Sequence, residues 1–205
     1  GYCLTTPVHE VPGLSGWIRV FVRAVPLIIL VFGGLLILLA MRLFERPLYG
    51  LGRPVTPFIT QFVCRAAFVL LGIRYTSTGT PMQDAGAVVA THASWLDVTD
   101  GLQVVPFKPA LFAAVFEPAL KETLLMQAVS VVYQAPPGED PRFYGWWGDM
   151  DFGPHLLSTL AARRQGGVHV VYHKPVKVID YADRKALAQA MEAQVRLGLS
   201  QHRAA

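Results

Sequence analysis

Charge is scarce in this chain. Asp, Glu, Lys and Arg make up 16% of the 205 residues while 53% are hydrophobic, and ordinary soluble domains carry about 25% charged residues. With a mean hydropathy of +0.39, the composition tilts toward a membrane-associated protein. Cysteine is nearly absent: Cys3 and Cys64 lie far apart with no CxxC, which excludes a disulfide framework and a cysteine-based metal site and fits a reducing, cytosolic face. No Lys/Arg run interleaved with aromatics occurs, so nothing indicates a nucleic-acid partner. G-x-S-x-G is missing, so a hydrolase nucleophile elbow is not supported. H-E-x-x-H is missing too, and His169 and His173, four apart, lack a third clustered ligand, so no metal is expected.

What is present begins with a long apolar run. Ala24 to Met41, AVPLIILVFGGLLILLAM, is uncharged over 18 residues; as a helix it reaches about 27 Å, against a hydrocarbon core roughly 30 Å thick. A single span, a re-entrant or interfacial helix, and a buried soluble helix all remain open. RLFERP, Arg42 to Pro47, offers no small-residue cleavage pattern, so a signal peptide is not expected. Arginines flank both ends, Arg19 and Arg23 before and Arg42, Arg46 and Arg53 after, and the positive-inside rule gives no orientation. That symmetry favours a segment that dips in and returns. A second apolar helix, with Thr56-Pro57 at its start and Gly72 as its stop, completes a hairpin in which Arg65 is the awkward charge. The net charge of +4 suits attraction to anionic headgroups.

Beyond Gly79 the texture changes. Short β-prone runs, Gly86 to His92, Leu125 to Gln134 and Val168 to Val178 (broken by Pro175), alternate with helical candidates at Pro109 to Phe116, Phe152 to Ala162 and from about Asp183. In the last of these, Leu187, Met191, Val195 and Leu199 form one apolar stripe behind an Asp183 cap. The expected class is α/β, a layered sheet with flanking helices plus an N-terminal membrane-associated helical segment. The expected division is residues 1–75 for the membrane-associated helices and 76–205 for the α/β domain.

Chemistry concentrates in THASWLDVTDGLQ, Thr91 to Gln103. His92 and Asp97 form H-x4-D, and on one continuous helix a five-residue step would turn them about 140° apart. A strand ending at His92, followed by a helix capped by Ser94, bends the backbone so that they converge. The carboxylate then fixes the imidazole tautomer and raises its basicity, leaving the other nitrogen to take a proton from a hydroxyl. FYGWWGDMD, with Phe143, Tyr144, Trp146 and Trp147, reads equally as an interfacial aromatic patch or a core patch. Lys108 and Arg142 read as solvated surface rather than phosphate ligands.

AVVATHASWLD resembles the first motif of the glycerophospholipid acyltransferases, the family of 1-acyl-glycerol-3-phosphate and related lysophospholipid acyltransferases. LQVVPFKPALF, AVSVVYQ, RFYGWWGDMDFGPHL and DRKALAQAMEAQVRLGL are similar to blocks of bacterial members, including those acting on lyso-ornithine lipids. The resemblance implies that His92 is the catalytic base and Asp97 orients it. The acyl donor is then acyl carrier protein or acyl-CoA, and the acceptor a lysophospholipid within membrane lipid. It implies 1-acyl-glycerol-3-phosphate as acceptor and phosphatidic acid as product, with a lyso-ornithine lipid as the rival. The expected location is the cytoplasmic face of a bacterial inner membrane, with no metal or other cofactor. A different class remains open: a catalytically silent component of a larger membrane complex.

Two departures stand out. Thr91 replaces the Asn that usually precedes the histidine. The acceptor block, read as Phe-Pro-Glu-Gly-Thr, has no counterpart, since no glutamate of this chain (Glu10, Glu45, Glu117, Glu122, Glu139, Glu192) precedes glycine. Thr99-Asp100-Gly101-Leu102 resembles the residues just after that block. A helix begun near Ser94 would also be stopped by Thr-Asp-Gly after about one turn. The expectation is therefore a segment missing from the record between Val98 and Thr99, with a natural deletion as the alternative, and a start at Gly1 rather than Met is read in the same way, as a partial record.

Overall fold

The computed structural model describes residues 12–50, 52–90, 104–145 and 150–203. The chain divides into two compact units, Gly1–Arg74 with Met150–Gly166, and Tyr75–Asp149 with Gly167–Ala205.

The first unit is helical. α1, Leu14–Tyr49, runs unbroken for 36 residues through Pro26 and the Gly33-Gly34 pair, extending well beyond the uncharged run on both sides. α2, Thr56–Leu71, has Pro57 in its first turn and ends at Gly72, whose φ of 76° gives the left-handed cap expected there. The two helices pack antiparallel, because Glu45 near the end of α1 meets the start of α2 while Gly34 meets Val63 further along. Gly34 is what permits this approach: a Cβ there would lie 2.5 Å from Val63 Cγ2.

α1 is not a buried core helix. Ile29 is 67% exposed and Leu36 68%, an apolar surface of the kind that marks a membrane or partner contact. Of the described helices it alone is long and apolar enough to cross a membrane. A third helix of this unit, Phe152–Ala161, is labelled α4 below. Its terminal carbonyls, which have no partner within the helix, are taken by arginines of α1. Arg19 Nε donates to Ala161 O at 2.6 Å, and Arg23 Nη1 donates to Leu160 O and Ala162 O at 2.7 Å. Two of the flanking arginines are thus committed inside the protein.

The second unit is a mixed sheet backed by a helix. In chain order it contains β1 (Arg74–Thr78), β2 (Gly86–Ala90), a 3-10 helix (Pro109–Phe116) and the single turn α3 (Pro118–Lys121). β3 (Leu125–Gln134), β4 (Gly167–Tyr172), β5 (Val176–Lys177) and α5 (Arg184–Arg203) follow. The strand order is β1-β4-β3-β2, with β2 parallel and β4 antiparallel to β3. Pro175 interrupts the run from Val168 to Val178 as the sequence predicts. Pairing steps from Val129↔Tyr172 to Met126↔Val176, so one extra residue bulges on the proline side. Gln127 repairs the ladder there: its Nε2 donates to His173 O at 2.8 Å and to Thr80 O at 2.9 Å, and its Oε1 accepts Met82 N.

α5 begins at its expected cap, Asp183 Oδ1 accepting the amides of Lys185 and Ala186 at 2.8 Å. Its stripe of Leu187, Met191, Val195 and Leu199 is buried against Met126, Ala128 and Val132 of β3. This is the core, and Ala87 and Val89 of β2 pack on the same cluster.

Candidate functional site

Thr91 to Gln103, with His92 and Asp97, lies outside the described residues, as does the Val98–Thr99 junction. What the structure describes is the frame on either side. Before the stretch, β2 ends at Ala90, in register with Val129. After it, Val104 is buried in the core cluster and Phe107 packs against that cluster. Phe107 N donates to Glu192 Oε2 at 3.0 Å. Arg196 Nη2 donates to Val104 O at 2.8 Å, and its guanidinium also holds the other Glu192 oxygen. The described residues on both sides of Thr91–Gln103 are therefore anchored to one core through β2 and α5. Glu192 sits below its ordinary value of 4.5, chiefly because the Phe107 amide, and then Arg196, favour its ionised form.

β2 is the terminal strand of the described sheet, and Val88 on it is 59% exposed. Val88 points away from the face on which Ala87 and Val89 pack against the core.

A serine–histidine contact appears that sequence reading did not find. Ser130 Oγ lies 2.8 Å from His173 Nε2, but Ser130 is fully buried and its hydroxyl donates to Val195 O at 3.1 Å. The imidazole must then donate to the serine, the opposite of what a nucleophile requires. The pair packs β3 onto α5 at Gly198, where a Cβ would strike both side chains. The sequence signal at this contact is a small residue, Gly198, inside the continuous helix α5.

The weaker candidates resolve as structure. His169 bridges two hydroxyls, Thr76 Oγ1 at 2.7 Å on Nδ1 and Thr78 Oγ1 at 3.0 Å on Nε2, and stacks on His202 with centroids 4.5 Å apart. Burial, and then the neighbouring His202, hold both His169 and His173 below their ordinary values. Among the described residues no group of three His, Cys, Asp or Glu could hold a metal ion. His155 is buried within α4, and its carbonyl accepts the hydroxyls of Ser158 and Thr159. Arg142 is paired with Asp140, Nη2 to Oδ2 at 3.1 Å. Tyr144 is buried edge-on to Phe143, at 4.9 Å, and tilted against Tyr133, as in the core-patch reading; Trp146 and Trp147 lie outside the described residues.

No family model matches the chain. A lyso-ornithine lipid O-acyltransferase of Rhodobacter capsulatus is 38% identical over 262 aligned positions, covering 95% of this chain and 95% of the relative. The chain belongs to the glycerophospholipid acyltransferase family. A second lyso-ornithine lipid O-acyltransferase, from Brucella abortus, is 38% identical over 109 residues, 48% of this chain and 39% of its own length. Among solved structures, the 1-acyl-sn-glycerophosphate acyltransferase PlsC of Thermotoga maritima matches with a TM-score of 0.54 over 94% of this chain and 96% of that one. At 15% identity this likeness shows the fold: a mixed sheet with flanking helices and a long apolar N-terminal helix. As a member of this acyltransferase family the chain is a membrane-associated O-acyltransferase acting on lipid. The alignment to the Rhodobacter relative has more positions than this chain's 205 residues, so part of that relative runs opposite gaps in this chain.

Proposed function

We propose that the chain transfers a fatty acyl group from acyl carrier protein or acyl-CoA to the free hydroxyl of a lyso-ornithine lipid. The observation that carries this choice of acceptor is the 38% identity, over 95% of both chains, to a lyso-ornithine lipid acyltransferase. The 1-acyl-glycerol-3-phosphate acceptor fits at the level of the family, but its support among the comparisons is a likeness of fold. In the proposed reaction His92 takes the proton of the acceptor hydroxyl as that oxygen attacks the thioester carbonyl, with Asp97 holding the imidazole in the correct tautomer. The tetrahedral adduct collapses by breaking the carbon–sulfur bond, and the departing thiolate takes up the proton, leaving an ester and a free thiol. No metal or other cofactor enters these steps. The reaction belongs at the cytoplasmic face of a bacterial inner membrane, where acyl carrier protein and acyl-CoA are found.

A gap at Val98–Thr99 completes the reading. It is supported by the Thr-Asp-Gly stop signal in the sequence and by the alignment longer than the chain. Sequencing the gene across that junction tests it directly, and an uninterrupted Val98-Thr99 codon pair would remove it. Acyl transfer is then measured with the protein encoded by that gene, in detergent, using acyl carrier protein thioester and each lysolipid in turn. The expected result is turnover with the lyso-ornithine lipid exceeding that with 1-acyl-glycerol-3-phosphate. The reverse preference would overturn the acceptor, and no turnover with either would support the silent membrane component instead.

A further inference from the structure

α1 is longer than a single crossing of a bilayer requires, and its exposed side chains are ordered. Leu14, Phe21, Ile28, Phe32, Leu39 and Leu43, each more than half exposed, follow one another at steps of seven or four residues, which return to the same side of an α-helix. At 1.5 Å per residue that line is about 44 Å long, against roughly 30 Å of hydrocarbon. No charge interrupts it; the first on that side is Arg46, just past Leu43. An upright helix with the uncharged run in hydrocarbon would leave Leu14, Ile18 and Phe21 beyond the acyl chains. Their exposure has no partner there, because α4 occupies the other side of this part of α1, where Arg19 and Arg23 hold its terminal carbonyls. A helix lying flat puts the whole line against acyl chains.

α2 supplies a second, independent observation. Phe58, Phe62 and Val69 are largely exposed, again at steps of four and seven. Beside them runs a polar arc, from Thr60 through Cys64 and Gln61 to Arg65, every member of it exposed. Arg65 sits near the middle of this helix. In an upright hairpin it would face lipid close to the middle of the hydrocarbon, whereas charged side chains within a membrane almost always turn to a bundle interior or an aqueous cavity. In a flat hairpin the same side chain starts at headgroup level and its long stem reaches water.

We propose that the α1–α2 hairpin lies in the plane of the membrane within one leaflet, with the α1 line among the acyl chains and the polar arc of α2 at headgroup level, and that it does not cross the bilayer. The inference rests on the membrane association of this family of lipid acyltransferases, and not on the acceptor or the proton transfer proposed above. It is tested on the protein encoded by the gene, with Cys3→Ser and Cys64→Ser, to which one cysteine is returned at an exposed position. Arg53→Cys marks the turn end of the hairpin and Arg164→Cys the α4 end. A charged maleimide that cannot membranes is applied to spheroplasts and to inside-out vesicles. Both cysteines should react in one preparation and neither in the other; reaction in opposite preparations would overturn the proposal. Depth is read in vesicles of phosphatidylethanolamine and phosphatidylglycerol that contain nitroxide-labelled acyl chains, with a fluorophore at Leu14→Cys, Phe32→Cys or Leu43→Cys, all exposed positions. Equal quenching at the three is expected of a flat helix, and quenching confined to Phe32→Cys would overturn it in favour of a crossing one. No quenching at any of them, with the protein recovered as a dimer, would give the face to a second copy. Failure to bind the vesicles at all would overturn the membrane association beneath the inference, while acyl transfer measured in detergent would stand or fall separately.

Discussion

Glu192 accepts the backbone amide of Phe107 across 85 positions of sequence, at 3.0 Å, and so ties the segment that follows Gln103 to the helix that forms the core. Glu192→Ala leaves that amide without its acceptor and frees Arg196. We expect a loss of about 1–2 kcal/mol in unfolding free energy, with Glu192→Gln, which keeps an acceptor oxygen, losing less. Because the folded carboxyl lies below its ordinary value of 4.5, its contribution is complete above that pH and is lost as pH falls through the folded value. Chemical denaturation of both variants across the acid range measures this. Parallel pH curves for wild type and Glu192→Ala would contradict it.

The histidines act in the same direction at a higher pH. His169 and His173 are both held below 6.5, first by burial and then by His202, so the folded state takes up protons less readily than the unfolded chain. The sign follows: stability is full above the ordinary value and declines as pH drops through the folded values. The thermal midpoint should therefore fall between about pH 7.5 and about pH 5.5. His202→Phe keeps a ring against His169 and removes the repelling charge, and should flatten that fall. An unchanged slope in the variant would show that His202 is not the source.

Much of this fold was legible because its elements follow the local rules that sequence displays. The α5 stripe, the Asp183 cap, the Gly72 stop and the Pro175 interruption each depend on near neighbours in the chain, and each appears where expected. β1 was not legible: RYTST is exposed throughout, so it carries no burial pattern to read. The Ser130–His173 contact was hidden for a related reason, since it depends on how β3, β4 and α5 meet. Arg19 and Arg23 looked like membrane-flanking charges because nothing local announces that α4 will present its carbonyls to them. Of the candidate site, His92 and Asp97 are a sequence expectation that falls outside the described residues, and the structure describes the segments on either side of them.

Gly34 and Val63 give a test of the hairpin that needs no assumption about orientation in a membrane. Gly34→Ala places a methyl group against Val63, and such overpacking costs about 1–3 kcal/mol. Val63→Ala opens the space again, so the double variant should recover most of what the single glycine variant loses. Thermal unfolding in detergent of the four proteins forms a double-mutant cycle, and the coupling should be favourable. Additive losses would mean that α2 does not pack on α1 at this point.

The decisive chemical test concerns His92 and Asp97 in two separable ways. His92→Ala removes the proposed base, and turnover should drop about 10²–10⁴-fold, while substrate binding and folding are preserved. Asp97→Asn keeps the shape of the side chain but withdraws the charge that favours the imidazolium. The imidazole should become less basic, so the acid limb of the kcat/KM profile should move to lower pH while the maximal rate falls. A merely structural aspartate would reduce the amount of folded enzyme without moving that limb. A pH–rate profile of Asp97→Asn superimposable on the wild type would therefore separate Asp97 from the base even if activity were low.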